Sequence, residues 1–265
     1  MDFMVIDGHV HVWPDKVAAS ALAGAADDFE RYGDGTVASA IATMDRAGVD
    51  RCISLGVAPA ASYVSAVDDF AGSLDPDRFI GFGSVHADLS PEENIAGLRR
   101  NGLKGAKIHP LYQGYPLDDP GLRATLDALQ GEFAVIVHVG EGDSPESNSR
   151  CTPAMMRTLI RDFPRLDVIA CHLGGYRLLD EAEEMIIGLP VYVDTSWPPG
   201  VGELDPSRLR SLIERHGPER VVFASDWPMA DPGREIATIE GLGLSACDTQ
   251  AILGGNLERL LRLEA

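Results

Sequence analysis

Eight short apolar runs, each followed by a stretch of helical periodicity, constrain this chain more than any other feature of its sequence. The runs fall at 3–10, 52–57, 78–85, 105–110, 133–140, 167–174, 191–197 and 221–228. Helical patterns separate them at 36–48, 60–74, 91–101, 119–130, 153–163, 176–187 and 205–216, and a last one falls near 248–262. Most runs are continuously apolar rather than alternating, as expected for parallel strands covered by helices. Four helices carry the same start signal, a cap residue before a proline: Ser90-Pro91, Asp119-Pro120, Thr152-Pro153 and Asp205-Pro206. Strand then helix, eight times, predicts an α/β fold, a single (β/α)8 barrel spanning 1–265, close to the ~250 residues typical of one such domain. An open doubly wound sheet would leave the histidines described below on strands too far apart to converge.

Composition narrows the partners. A formal net charge of -19 disfavours nucleic acid, which needs clustered cations, and points to a small-molecule substrate. No run approaches the ~20 apolar residues of a membrane span, and the opening MDFMVIDGHVHVW has no basic region before its apolar stretch, so a cytoplasmic protein is expected. Cys52, Cys151, Cys171 and Cys247 show no CxxC spacing and read as reduced thiols. Of the 22 basic residues only Lys16, Lys104 and Lys107 are lysines, so Lys107, inside the fourth run, calls for a specific role.

The chemistry-bearing residues gather at the C-terminal ends of the runs, where barrel enzymes keep their reactive groups. His9 and His11 are two apart on the first run and therefore face the same way. His138, His172 and Asp226 lie late in the fifth, sixth and eighth runs. Imidazoles with a carboxylate suit one divalent metal, Zn2+ first, with Mn2+, Fe2+ or Co2+ also compatible, and they leave a position open for water or substrate. Long irregular stretches at 14–35 and 141–152 follow strands and are expected as lids or surface loops.

The motifs DGHVHVW (7–13), GAKIHP (105–110), VIVHVG (135–140), ACHLGG (170–175), FASDWP (223–228) and ILGGNLERLL (252–261), in that order, resemble the amidohydrolase superfamily. The resemblance is to its amidohydrolase-2 branch, which includes aminocarboxymuconate-semialdehyde decarboxylase. It implies a metal-dependent barrel with His9, His11, His138 and Asp226 as ligands and His172 as acid, base or oxyanion donor. In two-metal members a fourth-strand lysine is carboxylated and bridges the ions. Lys107 sits there, but His109 beside it departs from that pattern, so one metal is expected, with Lys107 as a cationic substrate contact or a partner of the site's carboxylates.

Further substrate contacts are expected from His109, Trp197, Tyr112 and Arg177. Trp13, Trp197 and Trp227 follow neighbouring strands and could wall a flat ring, with Tyr112 and Tyr115 opposite; Arg150 and Arg177 could bind a carboxylate. His86 and His216 read as ordinary surface or loop residues. The leading expectation is hydrolysis of a C–N or C–O bond by a metal-activated water, with Asp226 accepting its proton. The alternatives are a non-oxidative decarboxylase of an aromatic or muconate-type acid, and a metal-independent lactonase or non-catalytic binding barrel. Family members are often dimers, which makes a homodimer an expectation.

Overall fold

All eight strands form, in one sheet whose order follows the sequence: β1 (Ile6–Val10), β2 (Arg51–Leu55), β3 (Phe79–Ser84), β4 (Gly105–Ile108), β5 (Ala134–Val137), β6 (Asp167–Ala170), β7 (Tyr192–Asp194) and β8 (Val221–Val222). The computed structural model describes residues 3–23, 30–142 and 144–263. Parallel pairing joins β1 to β2 and runs from β3 through β7. Beyond β8 the chain returns to β1, with Gly8 N donating to Phe223 O at 2.8 Å, Asp226 N to His9 O at 2.9 Å, and a parallel bridge from Val10 to Trp227. The architecture is the (β/α)8 barrel.

Strand existence follows from the apolar runs, but the strands stop earlier than the runs do. The fifth, sixth and eighth runs reach 140, 174 and 228, whereas β5, β6 and β8 end at Val137, Ala170 and Val222. The candidate residues His138, His172 and Asp226 therefore lie on backbone that has left the ladder.

Helices follow the predicted patterns closely where a cap and proline mark the start. Pro91–Arg100 opens on a capping box in which Ser90 and Glu93 exchange side-chain-to-backbone bonds, and Asp119, Thr152 and Asp205 cap Pro120–Leu129, Pro153–Asp162 and Pro206–His216. Each cap satisfies amide donors at a helix start that otherwise have no partner. Pro232–Gly241, capped by Asp231, adds a helix that the sequence reading missed. The predicted last helix is instead Ala246–Gln250 and Asn256–Leu261, joined by a π turn at Ala251–Gly255. The irregular stretch 14–35 contains the helix Asp15–Ala23; its residues 24–29, and residue 143 of the stretch 141–152, lie outside the described residues. Among the described residues no helix is long and apolar enough to cross a membrane, and all four cysteines are free thiols.

The chain clusters into two compact units. One takes in the described residues up to 54, with 76–79 and those from 194 onward; its buried interior includes Ile6, Val10, Ile53, Phe223, Ile252 and Leu257. The other takes in 55–75 and 80–193, with Phe82, Leu98, Ile108, Leu126, Ile136 and Ile169 fully enclosed.

His216 departs from the surface or loop position expected of it, and His86, in a loop as expected, is nonetheless buried. His216 is completely buried because it continues the inward face of its helix, Leu209, Leu212 and Ile213 preceding it at helical spacing. His86 is 4% exposed: Asn94 accepts its backbone N–H, its Nδ1 accepts from Asp88 N at 3.2 Å, and its ring meets Tyr115 edge-on. Tyr115 is likewise buried, donating to Val85 O, which makes it an interior residue rather than a wall for substrate.

Candidate functional site

In the first unit, the end of β1 and the residue just past it bring His9 and His11 to one point. Their Nε2 atoms are 3.2 Å apart, and Asp226 Oδ1 lies 3.3 Å from the first and 3.4 Å from the second. His9 is buried at 1% exposure and Asp226 at 8%, with His11 less enclosed. His9 Nδ1 lies 3.0 Å from Asp194 Oδ2 and 3.2 Å from Ser196 Oγ. The carboxylate at Nδ1 holds the ring proton there, so Nε2 presents its lone pair to the other two donors. Three ligand-type atoms thus converge in one buried place, where a cation between them would engage all three at once.

The spacing fits such a charge. Ligands held at ~2.1 Å around one tetrahedral ion are roughly 3.4 Å apart, and the donor chemistry of two imidazoles and a carboxylate matches Zn2+, Mn2+, Fe2+ or Co2+. His9, His11 and Asp226 together meet the geometric requirement of a metal-holding group.

Behind the donors stands a layer that sequence reasoning did not pick out. Asp194 Oδ1 accepts from Ser196 Oγ at 2.6 Å and from Ser196 N at 3.2 Å, so the carboxylate that orients His9 is itself oriented. Asp7 accepts from Ser225 Oγ at 2.5 Å, Ser225 N at 2.9 Å and His9 N at 3.1 Å, which ties β1 to the segment carrying Asp226. Burial pushes the Asp7 carboxyl up to about 7 against the lowering effect of those bonds. Asp7 and Asp194 were both legible as acids inside apolar runs, where a carboxylate is costly unless it has work to do.

Each tryptophan has a definite place. Trp13 is half-buried, its ring stacked on His11 at 5.9 Å and 17°. Trp227 is 1% exposed and donates from Nε1 to Tyr32 O at 3.4 Å, so it packs a loop and offers no surface to a substrate. Trp197 is buried at 9%.

The second unit gathers another group of imidazoles. His138 Nδ1 is 3.0 Å from His172 Nε2, and the His109 ring lies parallel to His138 at 4.0 Å and 7°. Tyr176 lies 5.5 Å from the His172 ring, with the Arg177 guanidinium 5.1 Å from the Tyr176 ring centre. Lys107, fully buried, donates from Nζ to Cys171 Sγ at 3.0 Å. His109 begins the short helix Pro110–Gln113, and Tyr112 on that helix is exposed beside it. Arg150 is a structural residue: its Nη1 holds Leu111 O at 3.0 Å, clipping its loop to that helix.

Backbone conformation marks several of the same residues, besides Arg262, which ends the last helix. Non-glycine residues in the left-handed region are few among the described residues, and they include Asp226 (φ 65), His172 (φ 61), Leu173 (φ 54) and Arg177 (φ 60). Such conformations cost about 1–3 kcal/mol each and cluster at functional sites, where surrounding contacts over-determine them.

The family profile for amidohydrolases matches residues 6–263. The chain belongs to the amidohydrolase family. No curated protein sequence matches this family member. Solved structures do. Dihydroxybenzoic acid decarboxylase from Polaromonas sp. JS666, with bound manganese and 2-nitroresorcinol, superposes with a TM-score of 0.74 at 17% identity, over 100% of this chain and 98% of that one. The 5-carboxyvanillate decarboxylase of Sphingomonas paucimobilis gives 0.70 at 18%, over 99% and 100%. A candidate 2-pyrone-4,6-dicarboxylic acid hydrolase from Pseudomonas putida gives 0.69 at 19%, over the whole of both chains. At these identities the amidohydrolase chain shares their fold.

Proposed function

We propose that this amidohydrolase-family protein is a metal-dependent, non-oxidative decarboxylase of a ring-hydroxylated aromatic acid. The observation that carries the reading is the buried cradle of His9, His11 and Asp226, three converging donors with His9 fixed from behind by Asp194. The decarboxylases named above share its fold, and one of them holds manganese, which favours Mn2+ over the Zn2+ first expected. The resemblance adds His138 to the ligand set.

A divalent cation held by His9, His11 and Asp226 would supply positive charge that binds an anionic substrate and offsets charge developing on it. Asp226 is assigned to deliver a proton to the ring carbon that bears the carboxylate. The carbon–carbon bond then breaks, its electron pair returns to the ring, carbon dioxide leaves, and solvent reprotonates Asp226. His172, buried beside His138, is assigned to the substrate oxygen, where one such donor contributes ~3 kcal/mol. Lys107, which donates to Cys171 Sγ, is proposed as a further substrate contact, and Tyr112, His109, Trp197 and Arg177 are the proposed contacts that choose among substrates. A homodimer belongs to the same proposal.

Hydrolysis is the second reading, favoured by the likeness to the candidate pyrone-dicarboxylic acid hydrolase. There Asp226 would take the proton from an attacking water. The two separate in one assay of Mn2+-loaded protein against hydroxybenzoates and against aryl or pyrone lactones. Chelator-sensitive release of carbon dioxide from a hydroxybenzoate supports the decarboxylase. Lactone opening with no carbon dioxide from any hydroxybenzoate overturns it.

A further inference from the structure

The loop Tyr32–Thr36, far in sequence from Asp226, is tied to both tryptophans that adjoin the metal donors. Tyr32 N donates to Pro228 O at 2.9 Å, Trp227 Nε1 donates to Tyr32 O at 3.4 Å, and Trp13 N donates to Gly35 O at 2.9 Å. Its own shape is fixed, since Asp34 Oδ1 accepts from Thr36 N at 2.9 Å and Thr36 caps the helix Val37–Ala47.

The loop's glycines are where it meets the rings. A Cβ at Gly33 would lie 2.1 Å from Trp227 Cζ2 and 2.7 Å from Cε2, a clash with the rigid face of an indole that no rotamer relieves. A Cβ at Gly35 would lie 2.8 Å from Trp13 Cε3, and Gly35 adopts φ 77, which favours glycine on its own account. Each clamped ring leads directly to a donor. Trp13 stacks on His11, while Trp227 follows Asp226 in the chain and its carbonyl accepts from His11 N at 2.8 Å. Asp226 itself is in the left-handed region, so it depends on its flanks, Ser225 bonded to Asp7 on one side and Trp227 on the other.

We propose that Tyr32–Thr36 is a clamp that positions the His11–Asp226 pair through Trp13 and Trp227, and that Gly33 sets metal affinity by letting Trp227 seat. Gly33 is a positioning residue with no contact to metal or substrate. The inference rests on His9, His11 and Asp226 being a metal centre, and the parent protein's own Mn2+ affinity tests that reading separately.

The test is Mn2+ titration calorimetry on parent, Gly33→Ala, Trp227→Phe and the double variant, with near-ultraviolet circular dichroism and thermal melting to verify folding. Outer contacts of metal ligands are typically worth about 10–100-fold in affinity. Gly33→Ala is expected to lose Mn2+ affinity by that factor while remaining folded. Trp227→Phe removes the ring atoms that Cβ would strike, so the double variant is expected to bind Mn2+ more tightly than Gly33→Ala alone. A purely structural role would lower the melting temperatures and leave affinity unmoved. Folded Gly33→Ala with parental affinity, or a double variant that binds no better than Gly33→Ala, overturns the clamp. Should Gly33→Ala fail to fold, Trp13→Ala at the half-exposed rim reads the same linkage through His11, and parental Mn2+ affinity in that variant overturns it. A parent that binds no Mn2+ removes the metal centre itself.

Discussion

Replacing Asp194 by Asn tests the layer behind the donors most sharply, because it keeps the shape of the site and removes one charge. Asp194 Oδ2 lies 3.0 Å from His9 Nδ1, with side-chain exposure of 0% and 2% at the two ends. A hydrogen bond to a charged group is worth about 1.5–3 kcal/mol, and this one also fixes which ring nitrogen carries the proton. Without the carboxylate, His9 is free to place its proton on Nε2, where it would block coordination. A loss of about 10–100-fold in metal affinity corresponds to ~1.4–2.8 kcal/mol, the same range as the hydrogen bond. Titration calorimetry with Mn2+ is therefore expected to show Asp194→Asn binding about 10–100-fold more weakly, with a far smaller effect on the fold of the metal-free protein. Parental affinity in a folded Asp194→Asn variant would refute the claim that Asp194 prepares His9 for a metal.

Two further predictions concern stability. Burial raises the Asp68 carboxyl from 3.8 to about 7, even though Ser84 N donates to its Oδ1 at 2.9 Å. The folded state then holds a proton that the unfolded chain has lost, so stability falls as pH rises from 4 to 7, by at most ~4 kcal/mol. Asp68→Asn should flatten that decline in urea titrations at pH 4.5 and 7.5, and an unchanged pH slope would contradict the assignment. The net charge of -19 repels itself, and salt shortens that repulsion from ~10 Å at 0.1 M to ~3 Å at 1 M. Melting temperature is expected to rise by ~2–4 °C, about 1 kcal/mol, over that range by calorimetry; a flat or falling response would count against net repulsion.

The strands were legible because a continuous apolar run has few other uses in a chain of this length. Their ends were not, because His138, His172 and Asp226 extend the apolar or small-residue pattern after the backbone has turned out of the ladder. The φ values near 60° at His172 and Asp226 reveal the turn, and although Asp and His adopt that region more readily than most residues, their presence alone does not mark it in the sequence. The helix Pro232–Gly241 could have been found, since Asp231-Pro232 repeats the start signal of four other helices. His9 and His11 sharing one point followed from the two-residue period of a strand and is what the structure contains.

The supporting layer was harder to read. Asp7 and Asp194 looked like parts of strands, yet each carboxylate answers a donor far along the chain, Ser225 for one and His9 for the other. Pairings across 218 and 185 positions leave no trace in local spacing. His216 was misplaced for a simpler reason: it lay in no motif, although the helical spacing of Leu209, Leu212, Ile213 and His216 predicts burial.

The central claim is that His9, His11 and Asp226 hold a divalent metal. A crystal of the Mn2+-loaded protein, measured at the manganese absorption edge, gives the most direct answer. A strong anomalous peak is expected at ~2.0–2.3 Å from His9 Nε2, His11 Nε2 and an Asp226 carboxylate oxygen. A peak elsewhere with these three side chains unengaged, or no peak at saturating Mn2+, would contradict it.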